Sequence, residues 1–173
     1  MKQNLGEYNK NSLWICHLQA ELVCISNPNK TEFLKRLNGL YDGSITLHQA
    51  NLLEAGSYDD IFAECSAVLH VGQPMGYAGN NNPQEVYDGS VGGIAKITDS
   101  IDKAGTIKRL IYTSSFAAIG HPAAPGHKFT EGDWASDNRE GDMQWNTDNL
   151  VNKGEVGYAM GKVECEHHVN RAA

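Results

Sequence analysis

Two short apolar runs with one long amphipathic stretch between them constrain this chain more than anything else in it. Ala67-Val68-Leu69-His70-Val71 is a continuous apolar run of strand length, and Arg109-Leu110-Ile111-Tyr112-Thr113 is a second. Between them, Pro83-Gln84-Glu85 opens a helical pattern that reaches residue 104. Its inner stripe is Val86, Val91, Ile94, Ile97 and Ile101. Proline suits a first helical turn, and Gly105 stands where helices end. Strand, crossover helix and strand in that order predict parallel pairing. Apolar runs without alternation predict strands covered on both faces.

The remaining stretches continue the pattern. Leu13-Trp14-Ile15-Cys16 is a short apolar run, and Leu22-Val23-Cys24-Ile25-Ser26 is a better strand, closed by the turn-forming Asn27-Pro28-Asn29. Residues 30–37 have helical spacing, with Phe33, Leu34 and Leu37 on one face. Ile45-Thr46-Leu47 predicts another short strand. Ser57 is placed to cap a helix through Tyr58, Ile61 and Phe62. Residues 117–144 read as a long loop anchored by Trp134, and residues 156–171 as a final helix. Alternating strands and helices predict an α/β fold with a parallel sheet. Gly89, Gly92 and Gly93 interrupt the long helix at about 1 kcal/mol each relative to alanine, which predicts close helix–sheet packing there.

Charge narrows the partners. Fourteen basic against twenty-one acidic residues give a net charge of −7. A surface of that sign excludes nucleic acid or an anionic membrane as the main partner. Residues 1–12 are polar, with no secretory signal, and no apolar run approaches membrane-spanning length. The cysteines at 16, 24, 65 and 165 lack metal-ligand spacing and read as buried thiols of a reducing cytoplasm. His167-His168, beside Glu164 and Glu166, point to different helix faces, so a solvated face is expected and no metal site. His70 ends a buried strand and reads as a near-core histidine.

Two places carry chemistry. Tyr158-Ala159-Met160-Gly161-Lys162 puts a phenol and an ammonium four positions apart, on one face of the final helix. The run at 109–113 ends in Ser114-Ser115. A phenol to give a proton, a cation beside it and a hydroxyl at a strand's carboxyl end point to carbonyl reduction by a nicotinamide.

These motifs occur in company. Ala50-Asn51-Leu52-Leu53, Tyr58-Asp59-Asp60-Ile61-Phe62, Asn82-Pro83-Gln84-Glu85-Val86, Val91-Gly92-Gly93 and Glu131-Gly132-Asp133-Trp134 accompany the two strand runs and the Tyr158 motif in a fixed order. Over residues 20–171 the chain resembles an extended short-chain dehydrogenase/reductase of the NAD-dependent epimerase/dehydratase superfamily. The subgroup it resembles contains dihydroflavonol reductases and cinnamoyl-CoA reductases.

The resemblance implies a Rossmann-like, doubly wound parallel sheet. It implies that Ser115 holds the oxygen of a small carbonyl substrate and that Tyr158 protonates it. Lys162 would stabilise the phenolate and bind the nicotinamide ribose. Val71, Gly72 and Gln73, after the first strand run, and Thr113 and Ser114, at the end of the second, would line the cofactor, NADP or NAD. A homodimer through helices 84–104 and 156–171 is implied as well. Sugar-nucleotide epimerases and dehydratases share the three catalytic residues, but the surroundings of Trp134 favour a reductase. The alternative from another class is a non-catalytic remnant that associates with a full-length relative.

The chain departs from the family at both ends. The family's G-x-x-G-x-x-G loop has no counterpart, Gly6 being the only glycine before Gly39. Residues 1–20 therefore read as an atypical segment, and residues 21–173 as a partial NAD(P)-binding domain that carries the catalytic residues and is truncated at both ends. Ser26 stands where relatives carry an arginine for a 2′-phosphate, and Asn51 replaces a common aspartate. Gly72 and Gln73 stand where alanine and serine or threonine are usual.

Overall fold

A computed structural model of the chain describes residues 28–37, 44–74, 82–120, 125–136 and 153–172. The runs expected as strands at 13–16 and 22–26 lie outside them. Strand β1 (Val68–His70) and strand β2 (Leu110–Tyr112) pair in parallel, with Val68 opposite Leu110 and His70 opposite Tyr112. The ladder outruns the strands. Lys108 N–H donates to Ser66 O at 2.8 Å and Thr113 N–H to His70 O at 2.9 Å. Helix α1 (Pro28–Leu37) and the short α2 (Asp59–Phe62) precede β1, α3 (Pro83–Ala104) crosses from β1 to β2, and α4 (Lys153–Ala172) follows.

Local signals set the bounds of α3. Asn82 Oδ1 accepts from Gln84 N–H at 3.1 Å, and Pro83 takes the first turn, where its missing N–H costs nothing. Gly105 ends the helix in the left-handed region, φ 63°, and its N–H closes on Ile101 O. Val86, Ile94 and Ile97 are buried, as the stripe required, and Val91 and Ile101 lie at its margin.

One core joins Leu52, Tyr58, Phe62, Val68, Ile94, Ile97 and Cys165. Each large apolar side chain there contributes about 1.5–3 kcal/mol. Asp59 pins α2 to the end of α3, accepting from Ser100 Oγ at 2.6 Å and Lys103 Nζ at 2.9 Å. The Ser100 hydrogen bond, and then Lys103, hold its carboxyl below the usual range. Among the described elements, α3 and α4 make the largest contact. Glycines allow it. A side chain at Gly157 would come within 2.8 Å of Pro83 Cα, and one at Gly161 within 2.9 Å of Ser90 Cβ.

Several expectations need correction. β1 and β2 are not covered on both faces by described residues. Val68 and His70 are buried, whereas Leu69, Val71 and Ile111 are each about half exposed, at 52%, 49% and 49%. Successive strand residues point to opposite faces, and α3 and α4 cover one of them. Residues 45–47 form no strand. Ser57 does not cap α2, because its Oγ accepts from Asn51 N–H at 2.8 Å instead and Tyr58 takes the cap position. α1 begins at Pro28 and buries Thr31 and Leu34, while Phe33 faces outward.

The glycines of α3 meet loops rather than the sheet. Gly93 abuts Leu52 and Gly89 abuts Pro74, whereas Gly92 has only Lys96 Nζ nearby. The paired histidines of α4 are not a solvated face. His168 Nε2 lies 2.9 Å from Thr98 Oγ1, and the His167 ring packs 4.2 Å from that of Trp134.

Candidate active site

The chain leaving the carboxyl end of β2 meets α4, and Thr113, Ser114, Tyr158 and Lys162 are brought together there. Lys162 is the centre. It is 2% exposed, and its Nζ donates to Thr113 O at 2.7 Å, just beyond β2. Its ammonium stands 4.7 Å from the centre of the Tyr112 ring and 5.7 Å from that of Tyr158. Tyr158, one helical turn earlier, is half-buried. The helix thus presents phenol and ammonium on one face, as their spacing required.

Beyond Thr113 the two serines divide their tasks. Ser114 Oγ donates to a Glu166 carboxylate oxygen, one turn beyond Lys162. Ser115 caps a 3-10 turn (Phe116–Ala118) by accepting from Ala117 N–H at 3.2 Å. That turn packs on α4. Ala118, Ala135 and Val163 close a small second core beneath it, with Trp134 partly buried alongside. Trp134 is therefore the loop anchor that its bulk implied.

The loop after β1 splits. Val71 faces outward, Gly72 is half-buried and Gln73 turns in toward the helices. Its amide donates from Nε2 to Ser90 Oγ at 2.9 Å and accepts at Oε1 from the Tyr112 hydroxyl at 3.0 Å.

Burial sets the electrostatics. It pushes the His70 imidazole down to about 4, aided by the Lys162 charge. It pushes the Cys165 thiol up to about 11 and the Tyr112 phenol well above the ordinary range. Cys65 and Cys165 are buried free thiols. Among the described residues no cluster of histidine, cysteine and carboxylate side chains could hold a metal, and no helix is long and apolar enough to cross a membrane.

Two polar residues in this constellation were missed from the sequence. Glu166 follows Lys162 by four positions on α4, which was the available sign. Tyr112 gave none, because its partners Gln73 and Lys162 are remote along the chain.

The model of the 3-beta hydroxysteroid dehydrogenase/isomerase family matches residues 26–148. The chain belongs to that family. Among curated proteins, the dihydroflavonol 4-reductase of Hordeum vulgare is 30% identical over 110 residues, which cover 64% of this chain and 31% of the relative. The cinnamoyl-CoA reductase CAD2 of Medicago truncatula is 33% identical over 101 residues, 58% of this chain and 30% of that protein. The chain thus spans about a third of the length of the curated relatives it matches. The likeness to dihydroflavonol and cinnamoyl-CoA reductases expected from the motifs is borne out.

A solved structure of yeast methylglyoxal/isovaleraldehyde reductase Gre2, complexed with NADPH, superposes with a TM-score of 0.61. It is 21% identical, and the match covers 84% of this chain and 43% of that one. A Gre2 structure from Candida albicans, also with NADPH, gives 0.62 at 22% identity. At that identity the likeness shows the fold, a Rossmann-like α/β arrangement, in agreement with the alternation of elements in the sequence.

Proposed function

We propose that this chain carries the catalytic face of an NAD(P)-dependent reductase of small aldehydes or ketones. The observation that carries the reading is the position of Lys162: a buried ammonium at the carboxyl end of β2, with Tyr158 one turn before it on α4 and Ser114-Ser115 just beyond the end of the strand. Open α/β sheets receive ligands at strand carboxyl ends.

The donor set suits the nicotinamide-ribose end of the cofactor. A ribose diol needs hydrogen-bond donors and acceptors close together, which an ammonium and a phenol on one helix face supply. The diphosphate is bound in such folds by a glycine-rich loop at a helix N-terminus, which has no counterpart in this sequence. Named as holding the nicotinamide end are Tyr158, Lys162, Thr113, Ser114, Val71, Gly72 and Gln73. The cofactor supplies a hydride to the carbonyl carbon.

The chain's own residues do the rest. Ser115 Oγ already accepts from Ala117 N–H, so its own hydrogen remains to hold the substrate oxygen. Tyr158 gives its phenolic proton to that oxygen as charge develops there, and Lys162 stabilises the phenolate left behind. α4 and the 3-10 turn that Ser115 caps pack on one another, which holds Ser115 and Tyr158 on adjoining elements.

The same reading includes a homodimer through the outward faces of α3 and α4, which sedimentation equilibrium tests, and a cytoplasmic location, supported by the free thiols of Cys65 and Cys165. The activity is tested by titrating NADPH and NADH into the purified chain, following nicotinamide fluorescence, and then adding an aromatic aldehyde and following absorbance loss. Tyr158→Phe is expected to lower turnover by about a hundredfold or more while cofactor affinity stays within about twofold. Turnover unchanged in that variant sinks the assignment of the proton donor.

A further inference from the structure

Tyr112 belongs to none of the roles given so far, yet it touches both halves of the site. We propose that Tyr112 is a positioning residue: its ring is the platform that holds the Lys162 ammonium at the end of β2, with Gln73 and Ser90 fixing that ring from behind. This deepens, and rests on, the assignment of Lys162 to the cofactor ribose and to the Tyr158 phenol.

A lysine has a four-carbon stem, and a single hydrogen bond leaves it room to swing. Here two consecutive residues, the last of β2 and the one after it, restrain it. Thr113 O accepts from Nζ at 2.7 Å, and the Tyr112 ring centre lies 4.7 Å from the same atom, within cation–π range. The ammonium is buried, so the ring face competes with little water for it.

The ring is fixed in turn. Its hydroxyl donates to Gln73 Oε1 at 3.0 Å, Gln73 Nε2 donates to Ser90 Oγ at 2.9 Å, and Ser90 Oγ donates to Val86 O at 2.7 Å. The Tyr112 hydroxyl heads this file, Gln73 and Ser90 each accept one hydrogen from behind and give one forward, and the file ends on the backbone of α3. Reversing the Gln73 amide would take the Ser90 hydrogen away from Val86 O, which favours the direction given. The His70 ring stacks 5.8 Å from the ring of Tyr112, with planes 23° apart. Gly161 completes the arrangement. A side chain there would come within 2.9 Å of Ser90 Cβ and 3.2 Å of Gln73 Nε2. The glycine beside Lys162 is thus the space that the anchoring file occupies.

A ring that merely fills the core would be indifferent to the charge above it, and that difference can be measured without turnover. Lys162 is methylated with formaldehyde and cyanoborohydride, and its rate is followed by peptide mass, with the exposed lysines as internal controls. Tyr112→Leu is expected to raise the Lys162 rate about thirtyfold, the factor a desolvated cation–π contact represents. Tyr112→Phe keeps the ring, and Gln73→Leu only loosens it, so each is expected to give a smaller rise, about fivefold, the value of one hydrogen bond. Circular dichroism checks folding. If Tyr112→Leu does not fold, Gln73→Leu decides, and no rise there overturns the proposal.

NADPH titration supplies the second readout. Lys162→Met and Tyr112→Leu are each expected to weaken binding, and the double variant to bind no worse than Lys162→Met alone, because the ring acts through the lysine. Losses that add overturn the proposal, as does an unchanged methylation rate in a folded Tyr112→Leu. If Lys162→Met leaves NADPH binding untouched while Tyr112→Leu still frees the amine, the platform stands and the cofactor role of Lys162 is what fails.

Discussion

Acidification should destabilise this chain through one histidine, and the size of the effect follows from where the ring sits. His70 is 6% exposed, stacked on Tyr112 and close to the Lys162 ammonium. Burial first, and then that positive charge, take its imidazole from 6.5 to about 4. Above pH 6.5 neither the folded nor the unfolded chain protonates it. As the pH falls from 6.5 toward 4, the unfolded chain binds a proton that the folded one refuses, so stability falls. Below 4 both bind it, and the loss is complete. A pKa gap from 6.5 to about 4 is worth about 3 kcal/mol. That is a large share of the roughly 5–15 kcal/mol that holds an ordinary domain together. The assay is urea unfolding followed by tryptophan fluorescence at steps from pH 7 to pH 4, on the parent and on His70→Phe, which keeps a ring against Tyr112 but cannot titrate. Carboxylates such as Asp59, also displaced, are common to both proteins and cancel in the difference. The parent should lose about 3 kcal/mol relative to the variant across the window. Parallel curves would refute the account, because the buried ring would then carry no proton linkage.

The other expectations concern packing. Gly157→Ala should lose at least about 2 kcal/mol in urea unfolding despite the gain of about 1 kcal/mol in helix propensity. Gly161→Ala should lose less, because the Pro83 backbone crowds Gly157 more closely than Ser90 crowds Gly161; equal losses would argue against that distinction. Asn82→Ala should cost about 1 kcal/mol by removing the cap on Gln84 N–H, and an unchanged melting temperature would show the cap to be idle. Leu52→Ala should cost about 2–5 kcal/mol, and adding Gly93→Ala should restore part of it, since the new methyl enters the space left by Leu52. A double variant less stable than Leu52→Ala would refute that complementarity.

What could be read from the sequence was what neighbours in sequence decide. The bounds of α3 were legible because Asn82, Pro83 and Gly105 act within one turn of themselves. The parallel pairing of β1 and β2 was legible because a long crossover leaves little choice. The burial of the strands was not, because an apolar run looks the same whether one face or two are covered. The Ser57 cap failed in the same way. A serine before a helix can serve any nearby N–H, and that of Asn51 won. The grouping of Tyr158 with Lys162 lay in plain view at four residues' separation, whereas the file from Tyr112 through Gln73 to Ser90 spans 39 and then 17 positions and has no local sign.

The two spacings of four on α4 are one fact seen twice. Gly157 and Gly161 lie on the helix line that meets α3, where their missing side chains let Pro83 and Ser90 come close. Tyr158 and Lys162 each follow one residue later, so they lie on the adjacent line, turned about 100° around the axis. That rotation carries them from the α3 contact to the end of β2, where Lys162 finds Thr113 O and the Tyr112 ring. Packing therefore sets the direction of the chemistry. The glycines fix how deep and at what rotation the helix lies, and the reactive pair inherits both. A helix held off by a bulkier contact would present the same phenol and ammonium at the same spacing, but displaced from the strand end that gives them their task.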